Sequence, residues 1–476
     1  MLTRYLQTHR RDQLIEWIKG LLAVPFVLNS RPAAAYEEHL TEHTATIASM
    51  ARSAHQRYAD IFRDVEDLIN DHIAHQAITP EGTAVRSKLS MLVPSISTFF
   101  TPLALESAFK HEDSLRSISS RRFVPPSFND IRLILNTAQI MSLINPTHPS
   151  RDADTDPTPS APLLKLLTFD GDVTLYDDGA SLTSPEADPV ITRLLHFLAH
   201  DVRIGIVTAA GYTQPQNYFS RLSGLLLAIR TSPTLTPTQK SNLIVMGGES
   251  NFLFVYDDTA PHCLRPIPRR DWILDAMQTW TESAIQSLLD IAEQAFHSCI
   301  KTLQLKANVL RKERAVGIYA ADQTAKLSRE QLEETVLVVQ QVVESSLLPP
   351  LDRPAGSSSS SFGPTAVAAA AAAASSSSTT KPPTPPLPPH AGIPFTVFNG
   401  GADVFLDVGD KSLGVRACQK WFGGIKPQET LHVGDQFLSG GGNDFKARSA
   451  CCCAWIASPA ETVGLLDGII GLAGKN

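Results

Sequence analysis

The rhythm of hydrophobic and polar positions changes several times along this chain. From Tyr36 to Ile69 apolar residues are spaced through a polar background, and Asn129 to Leu143 repeats them at helical intervals. That periodicity predicts amphipathic helices, so residues 1–146 read as a helical N-terminal domain. Pro146, Pro149, Pro157, Pro159 and Pro162 then punctuate a polar stretch, which reads as a linker over 147–162. Beyond it, apolar runs at Leu163–Phe169, Arg203–Val207 and Leu243–Met246 alternate with helical patterns at Pro189–Ala199 and Gln216–Ile229. Short apolar strands alternating with helices predict a parallel α/β sheet.

The middle of the chain departs from that alternation. Asp271–Leu305 and Ser328–Leu347 carry long amphipathic helix patterns, and residues 349–392 are low-complexity sequence of serine, alanine and proline runs. Such composition cannot bury enough apolar surface to offset the entropy of ordering, so this stretch reads as a disordered, dispensable insertion. Strands are expected at Phe395–Phe398 and Val404–Val408. The alternation then resumes with helix Ser412–Trp421, strand Thr430–Val433, helix Phe445–Ala450, strand Cys452–Ile456 and helix Pro459–Ile470. The core therefore reads as split into 163–211 and 394–476, with residues 212–393 inserted as a cap.

Composition narrows the function classes. The chain has 476 residues, 43% hydrophobic, with 41 basic and 48 acidic residues and a net charge of -7. That balance gives no basic footprint for nucleic acid. Leu21–Leu28 is short and contains Pro25, no apolar run is long enough to span a bilayer, and no signal-like segment opens the chain. A cytoplasmic protein without a membrane partner is expected. Cys451, Cys452 and Cys453 are consecutive, with no CxxC pair. Strand neighbours point to opposite faces, so these three read as buried strand residues rather than metal ligands or disulfides.

The candidate chemistry sits at strand ends. Asp170 ends the apolar run Leu163–Phe169 and Asp172 follows. Thr208 ends Arg203–Val207, and Asp435 follows Leu-His-Val-Gly. In an open parallel sheet, ligands bind outside the carboxyl ends of the strands, so these residues are expected to share one crevice. Clustered carboxylates repel one another, and Mg²⁺ suits carboxylate oxygens, waters and a phosphate. Lys411, upstream of the Asp435 strand, adds a positive group. A nucleophile, a metal, a cation and a hydroxyl are what phosphoryl transfer needs.

Asp-Gly-Asp-Val-Thr at 170–174, Thr208, Lys411, and Gly-Asp with Asn-Asp at 434–435 and 443–444 resemble, in order, the four motifs of the haloacid dehalogenase superfamily. Longer stretches at 123–132, 168–179 and 433–448 resemble the IMP-specific 5′-nucleotidases of fungi and related eukaryotes. The resemblance lapses in the linker and the low-complexity insertion. It implies a haloacid dehalogenase-like parallel-sheet core with an inserted cap. It also implies Mg²⁺-dependent hydrolysis of inosine 5′-monophosphate (IMP) to inosine and phosphate, activation by ATP, and a homo-oligomer, tetrameric by that resemblance. Asp170 would be nucleophile and metal ligand. Asp172 would be acid/base, would contact the substrate and would offer its carbonyl to the metal. Asp435 would be the remaining protein ligand. Asp178, Thr208, Asp403 and Lys411 would contact the nucleotide.

Other residues carry weaker signals. Phe445 could stack on a purine or pack in a core, and His432 reads as a packed histidine. Arg121, Arg122, Asn129 and Arg132 gather around Pro125 and Pro126 and suit a triphosphate effector or surface salt bridges equally. A sugar phosphate or another nucleotide as substrate, and a nucleotide sensor without catalysis, are the alternatives. The intact Asp170, Asp172, Lys411 and Asp435 argue against the sensor.

Overall fold

The computed structural model describes residues 12–30, 40–78, 86–145, 163–322, 326–347, 390, 392–438 and 441–474. The expected linker and nearly all of the low-complexity stretch lie outside these. Eleven strands are present among the described residues: β1 (Leu166–Phe169), β2 (Arg203–Val207), β3 (Leu243–Gly247), β4 (Phe252–Tyr256), β5 (Leu264–Ile267), β6 (Ala307–Arg311), β7 (Ala315–Ala320), β8 (Phe395–Asn399), β9 (Asp403–Val408), β10 (Thr430–Gly434) and β11 (Cys452–Trp455).

Seven strands form the larger sheet in the order β11-β10-β1-β2-β3-β4-β5. The first five run parallel, and β4 and β5 return antiparallel. The strands β1 to β3 are continuous apolar runs because both of their faces are covered. Helices Pro189–Ala199 and Pro215–Thr231 pack on one face with Phe169, Ile204 and Ile206, and helix Lys411–Trp421 packs on the other with Leu166, Val207 and Met246.

The smaller sheet, β6-β7-β9-β8, is antiparallel throughout. Its two faces differ. Val404, Leu406 and Val408 join Val316 and Ile318 under helices Glu282–Thr302 and Arg329–Ser346, while Phe405 and Asp407 are buried on the opposite face with Phe398. The alternation in β9 separates the two faces.

These pairings shift the expected boundaries of the cap. Strands β3 to β5 extend the larger sheet past residue 211 to Ile267, and β8 and β9 belong to the smaller sheet although they follow residue 394. The long helix expected from Asp271 starts only at Glu282. Thr281 caps it, accepting from the Ala284 N–H at 3.2 Å, and the preceding residues form short 3₁₀ turns. Trp272 and Met277 in that segment are buried against the larger sheet, so its apolar spacing reflects core packing rather than helix. The pattern around Phe445–Ala450 is likewise a 3₁₀ helix, Asp444–Ser449.

The helical layer is as expected in kind. Ile15, Ile18, Tyr58, Phe62, Phe109 and Ile131 meet in one apolar core. It covers the exposed edge of the larger sheet, as edge strands require. Asn136 accepts from the Trp455 N–H at 2.9 Å and donates to the Trp455 carbonyl at 2.7 Å, completing the hydrogen bonding of β11. Of the consecutive cysteines, Cys451 and Cys452 are buried, Cys453 is half-buried, and all three are free thiols. No helix among the described residues is long and apolar enough to cross a membrane.

Candidate active site

The carboxyl ends of β1, β2 and β10 meet as the parallel pairing dictates. Asp170 follows β1 and its N–H donates to Val433 O in β10 at 3.0 Å. The next position is Gly171, where an added Cβ would come within 2.6 Å of the Tyr176 hydroxyl and would have to displace it. Lys411 opens the helix Lys411–Trp421, capped by Asp410, and is fully buried. Its ammonium lies 2.9 Å from Asp170 Oδ1 and 2.5 Å from Asp444 Oδ1. Asp444 also pairs with His432 Nε2 at 3.0 Å and accepts from the Gln436 N–H at 2.8 Å. His432 is held from its other side by Thr168 at 3.0 Å, so it is the packed histidine expected, and it orients Asp444. Gly434 leaves room for that carboxylate, which a Cβ would meet at 2.3 Å.

One oxygen each of Asp170, Asp435 and Asp444 lie within 4.8 Å of one another. Burial pushes the Asp170 carboxyl up to about 6, with Lys411 opposing and Asp444 reinforcing. Burial, then Asp170 and Asp444, push Asp435 up to about 8. For Asp444 burial works the same way, but Lys411 and His432 outweigh it and hold the carboxyl well below the usual range. Asp435 Oδ1 is buried without a hydrogen-bond partner. Three carboxylates around one lysine, one of them with an unsatisfied oxygen, fit a hard divalent cation. Asp444 is already hydrogen-bonded at both oxygens, which leaves Asp170 and Asp435 as the open donors.

Asp170, Asp172, Asp178 and Thr208 line one cleft together with Phe398 and Asn443. Thr208 accepts from the Ala210 N–H at 3.1 Å, and Asp172 accepts from the Gly179 N–H at 3.3 Å. Asp403 enters from β9 of the smaller sheet. Burial raises its carboxyl, Lys312 opposes, and the charges of Asp178 and Asp172 add to the rise. The expected set thus converges, with the smaller sheet as its roof.

Two groups of expected residues sit elsewhere. Phe445 is not among the residues lining the cleft. It lies under the Arg448 guanidinium, 5.5 Å from its ring centre, beside the helical layer. The arginine segment is occupied internally. Arg121 makes a two-pronged pair with Asp130 at 2.7 and 3.1 Å. Arg132, 3% exposed, pairs likewise with Glu461 at 2.8 and 3.0 Å and donates to Trp455 O. Asn129 accepts from Arg132 at 3.3 Å, and Arg122 lies over Phe123. Arg121, Asn129 and Arg132 thus brace helix Phe128–Ile144 and tie it to the larger sheet, while Arg122 Nε has no hydrogen-bond partner among the described residues.

The sequence pattern singles out Asn443 and Asp444 as a motif but leaves Glu249 unmarked. Glu249 follows β3, fully buried, in a left-handed conformation (φ 63°), and accepts from Asn443 Nδ2 at 3.2 Å. The strand-end rule that found Thr208 extends to Glu249, just past the end of β3.

A parallel sheet that gathers its acidic groups at its carboxyl ends, beneath a separate antiparallel sheet, is the architecture of haloacid dehalogenase-like hydrolases, and this chain has it. Comparison with known proteins takes the assignment further. The sequence profile of the IMP-specific 5′-nucleotidases matches residues 1–466, so the chain belongs to that family and is a phosphoric monoester hydrolase. IMP-specific 5′-nucleotidase 1 of Emericella nidulans is 52% identical over 472 residues, covering 98% of each chain. The Saccharomyces cerevisiae protein of the same name is 39% identical and covers 98% of this chain and 97% of its own. Among solved structures, an IMP-bound mutant of the Plasmodium falciparum IMP-nucleotidase superposes with a TM-score of 0.72 at 26% identity, covering 98% of this chain and 96% of that one. The ATP-bound structure of that protein gives 0.67 at 26% identity, with 98% and 87% covered.

Proposed function

We propose that this protein hydrolyses IMP to inosine and phosphate, with Asp170 as nucleophile and Asp172 as acid and base. The observation that carries the reading is Asp170 held at the mouth of the cleft by Lys411, with Asp172 and Thr208 on the same cleft wall. An Asp170 oxygen attacks phosphorus, and the bond to the ribose 5′ oxygen breaks. Asp172 gives that oxygen its proton. Asp172 then removes a proton from the water that attacks the aspartyl-phosphate, releasing phosphate and restoring Asp170. Lys411 opposes the rise that burial imposes on the Asp170 carboxyl, and Thr208 is positioned to hydrogen-bond a phosphoryl oxygen. Mg²⁺, held by Asp170, Asp435 and the Asp172 carbonyl, would supply charge neutralisation of the phosphoryl oxygens when bound. The roof formed by β8 and β9 excludes bulk water.

Support for IMP comes from the family and from the Plasmodium relative solved with IMP bound. Phosphate release from a panel of nucleoside and sugar monophosphates tests it: IMP is expected to be turned over with the highest kcat/KM, and a preference for a sugar phosphate would contradict it. ATP as activator belongs to the same proposal, supported by the relative solved with ATP bound, and so does a homo-oligomeric assembly, which rests on the family resemblance alone. Stimulation of IMP hydrolysis by ATP in wild type is the expected result. Because Arg121 and Arg132 are engaged internally, Arg122→Ala is the informative variant within that segment. Competition between ATP and IMP without any stimulation would remove the activator.

A further inference from the structure

The roof of the cleft carries charged groups that the reaction above leaves unused. Along β9, Val404, Leu406 and Val408 enter the cap core, so Asp403, Phe405 and Asp407 share the opposite face. Phe405 packs with Phe398 and Ala209, which both line the cleft. One side of its ring rests on Gly317, where an added Cβ would come within 2.5 Å. The Lys312 ammonium stands 4.4 Å from the ring centroid, and it makes no ion pair or hydrogen bond among the described residues. An ammonium over an aromatic face is attracted to it, which holds the group in place while its donors stay free. Asp407 is 3% exposed, and its Oδ2 has no hydrogen-bond partner. Lys312 is close enough to both Asp403 and Asp407 to oppose the rise that burial imposes on their carboxyls.

The cleft-side face of the smaller sheet therefore carries, behind the cleft-lining Phe398 and Ala209, a free donor and an unsatisfied acceptor. A 6-oxopurine offers the complement on one edge: a carbonyl oxygen that accepts and an adjacent N–H that donates. A 6-aminopurine inverts both, placing an N–H₂ before the ammonium and a lone pair before the carboxylate. Sites that pair buried polar groups with a substrate reject the analogue that leaves those groups unpaired. We infer that Lys312 and Asp407 read the 6-oxo edge of the purine, Lys312 donating to the base carbonyl and Asp407 accepting from the adjacent N–H. The inference rests on the proposal that the substrate is a nucleoside monophosphate.

The test is kcat/KM of the full-length chain on IMP, AMP and ribose 5-phosphate, which shares the reacting phosphate and lacks the base. Lys312→Met keeps the side-chain stem and removes the donor. It is expected to lower the IMP to ribose 5-phosphate ratio by roughly tenfold to a hundredfold. Asp407→Asn puts an N–H₂ where the acceptor was, and is expected to lower the IMP to AMP ratio by a similar factor, with AMP gaining relative to IMP. Lys312 is only half-buried, so its variant tests the inference even where Asp407→Asn fails to fold. Equal losses on IMP and ribose 5-phosphate for Lys312→Met, or an unchanged IMP to AMP ratio for a folded Asp407→Asn, would overturn base reading while leaving the phosphatase intact. A wild type that favours neither IMP nor AMP over ribose 5-phosphate would overturn the substrate proposal and this inference with it.

Discussion

The catalytic cluster and the contact between helical layer and sheet are both built from buried charge, and they treat it in opposite ways. Across the contact acids meet bases, Arg132 with Glu461 and Arg448 with Asp12, and within the helical layer beside it Arg121 pairs with Asp130. At the strand ends Asp170, Asp435 and Asp444 crowd one lysine, and Asp435 keeps an oxygen without a donor. The titration follows. Asp130 and Glu461 fall below their usual range, because arginine pairing outweighs burial. Asp170 and Asp435 rise, because burial outweighs Lys411. Charge satisfied inside the chain holds the fold together. Charge left unsatisfied requires a partner from outside, and that is how a reaction centre is recognised.

Breaking each side of this contrast should give different kinds of damage. The largest effect is expected at the nucleophile. Asp170→Asn should lower phosphate release from IMP by about 10⁴-fold or more while the protein stays folded. Near-normal turnover would remove Asp170 from its role. Next comes the open ligand: chelating divalent metal should abolish activity and Mg²⁺ restore it. Asp435→Asn should shift the Mg²⁺ needed for half activity upward by roughly a hundredfold or more. Full activity in chelator, with no metal retained, would contradict that.

The paired side should fail through stability instead. Arg132→Ala strands Glu461 and a buried carbonyl, and should cost about 3 kcal/mol in denaturant unfolding, discounted because Glu461 is one-third exposed. Molecules that stay folded should keep their turnover of IMP. The smallest effect is acid sensitivity. Asp130 and Glu461 titrate lower folded than unfolded, so their contribution is present above the unfolded carboxylate range. It is lost as pH falls below about 4, through their folded values. Phe128 packs edge-on against Trp455 at this contact, so tryptophan fluorescence should report the loosening. A contact unchanged down to strongly acid pH would show that these pairs add little.

How much was legible in sequence divides along the same line. Asp170, Asp172, Thr208, Lys411 and Asp435 could be placed because strand ends in a parallel sheet converge whatever separates them in the chain. The helical layer was readable from periodicity. The extent of the cap was not. Strand β3 reads as core by its unbroken apolar run, but β4 and β5 join the same sheet by antiparallel return, which no local pattern announces. Strands β8 and β9 follow the low-complexity stretch and so looked like a resumption of the core. Their alternation, Asp403-Val404-Phe405-Leu406-Asp407, was the available sign of a sheet with two unlike faces. The arginines near Pro125 show the converse limit. A basic cluster in sequence does not disclose whether acids from elsewhere, here Glu461 more than three hundred residues on, already meet it.

The central claim, that the unsatisfied cluster performs covalent phosphoryl transfer through Asp170, is tested most directly by trapping the intermediate. Wild type turning over IMP with Mg²⁺ should be quenched rapidly in acid, digested and analysed by mass spectrometry. The account predicts a phosphoryl group on the peptide containing Asp170, at that residue, and its absence when Asp170 is replaced by Asn. A phosphoryl group found reproducibly on another residue, or an Asp170→Asn variant that still releases phosphate from IMP at the wild-type rate, would contradict it.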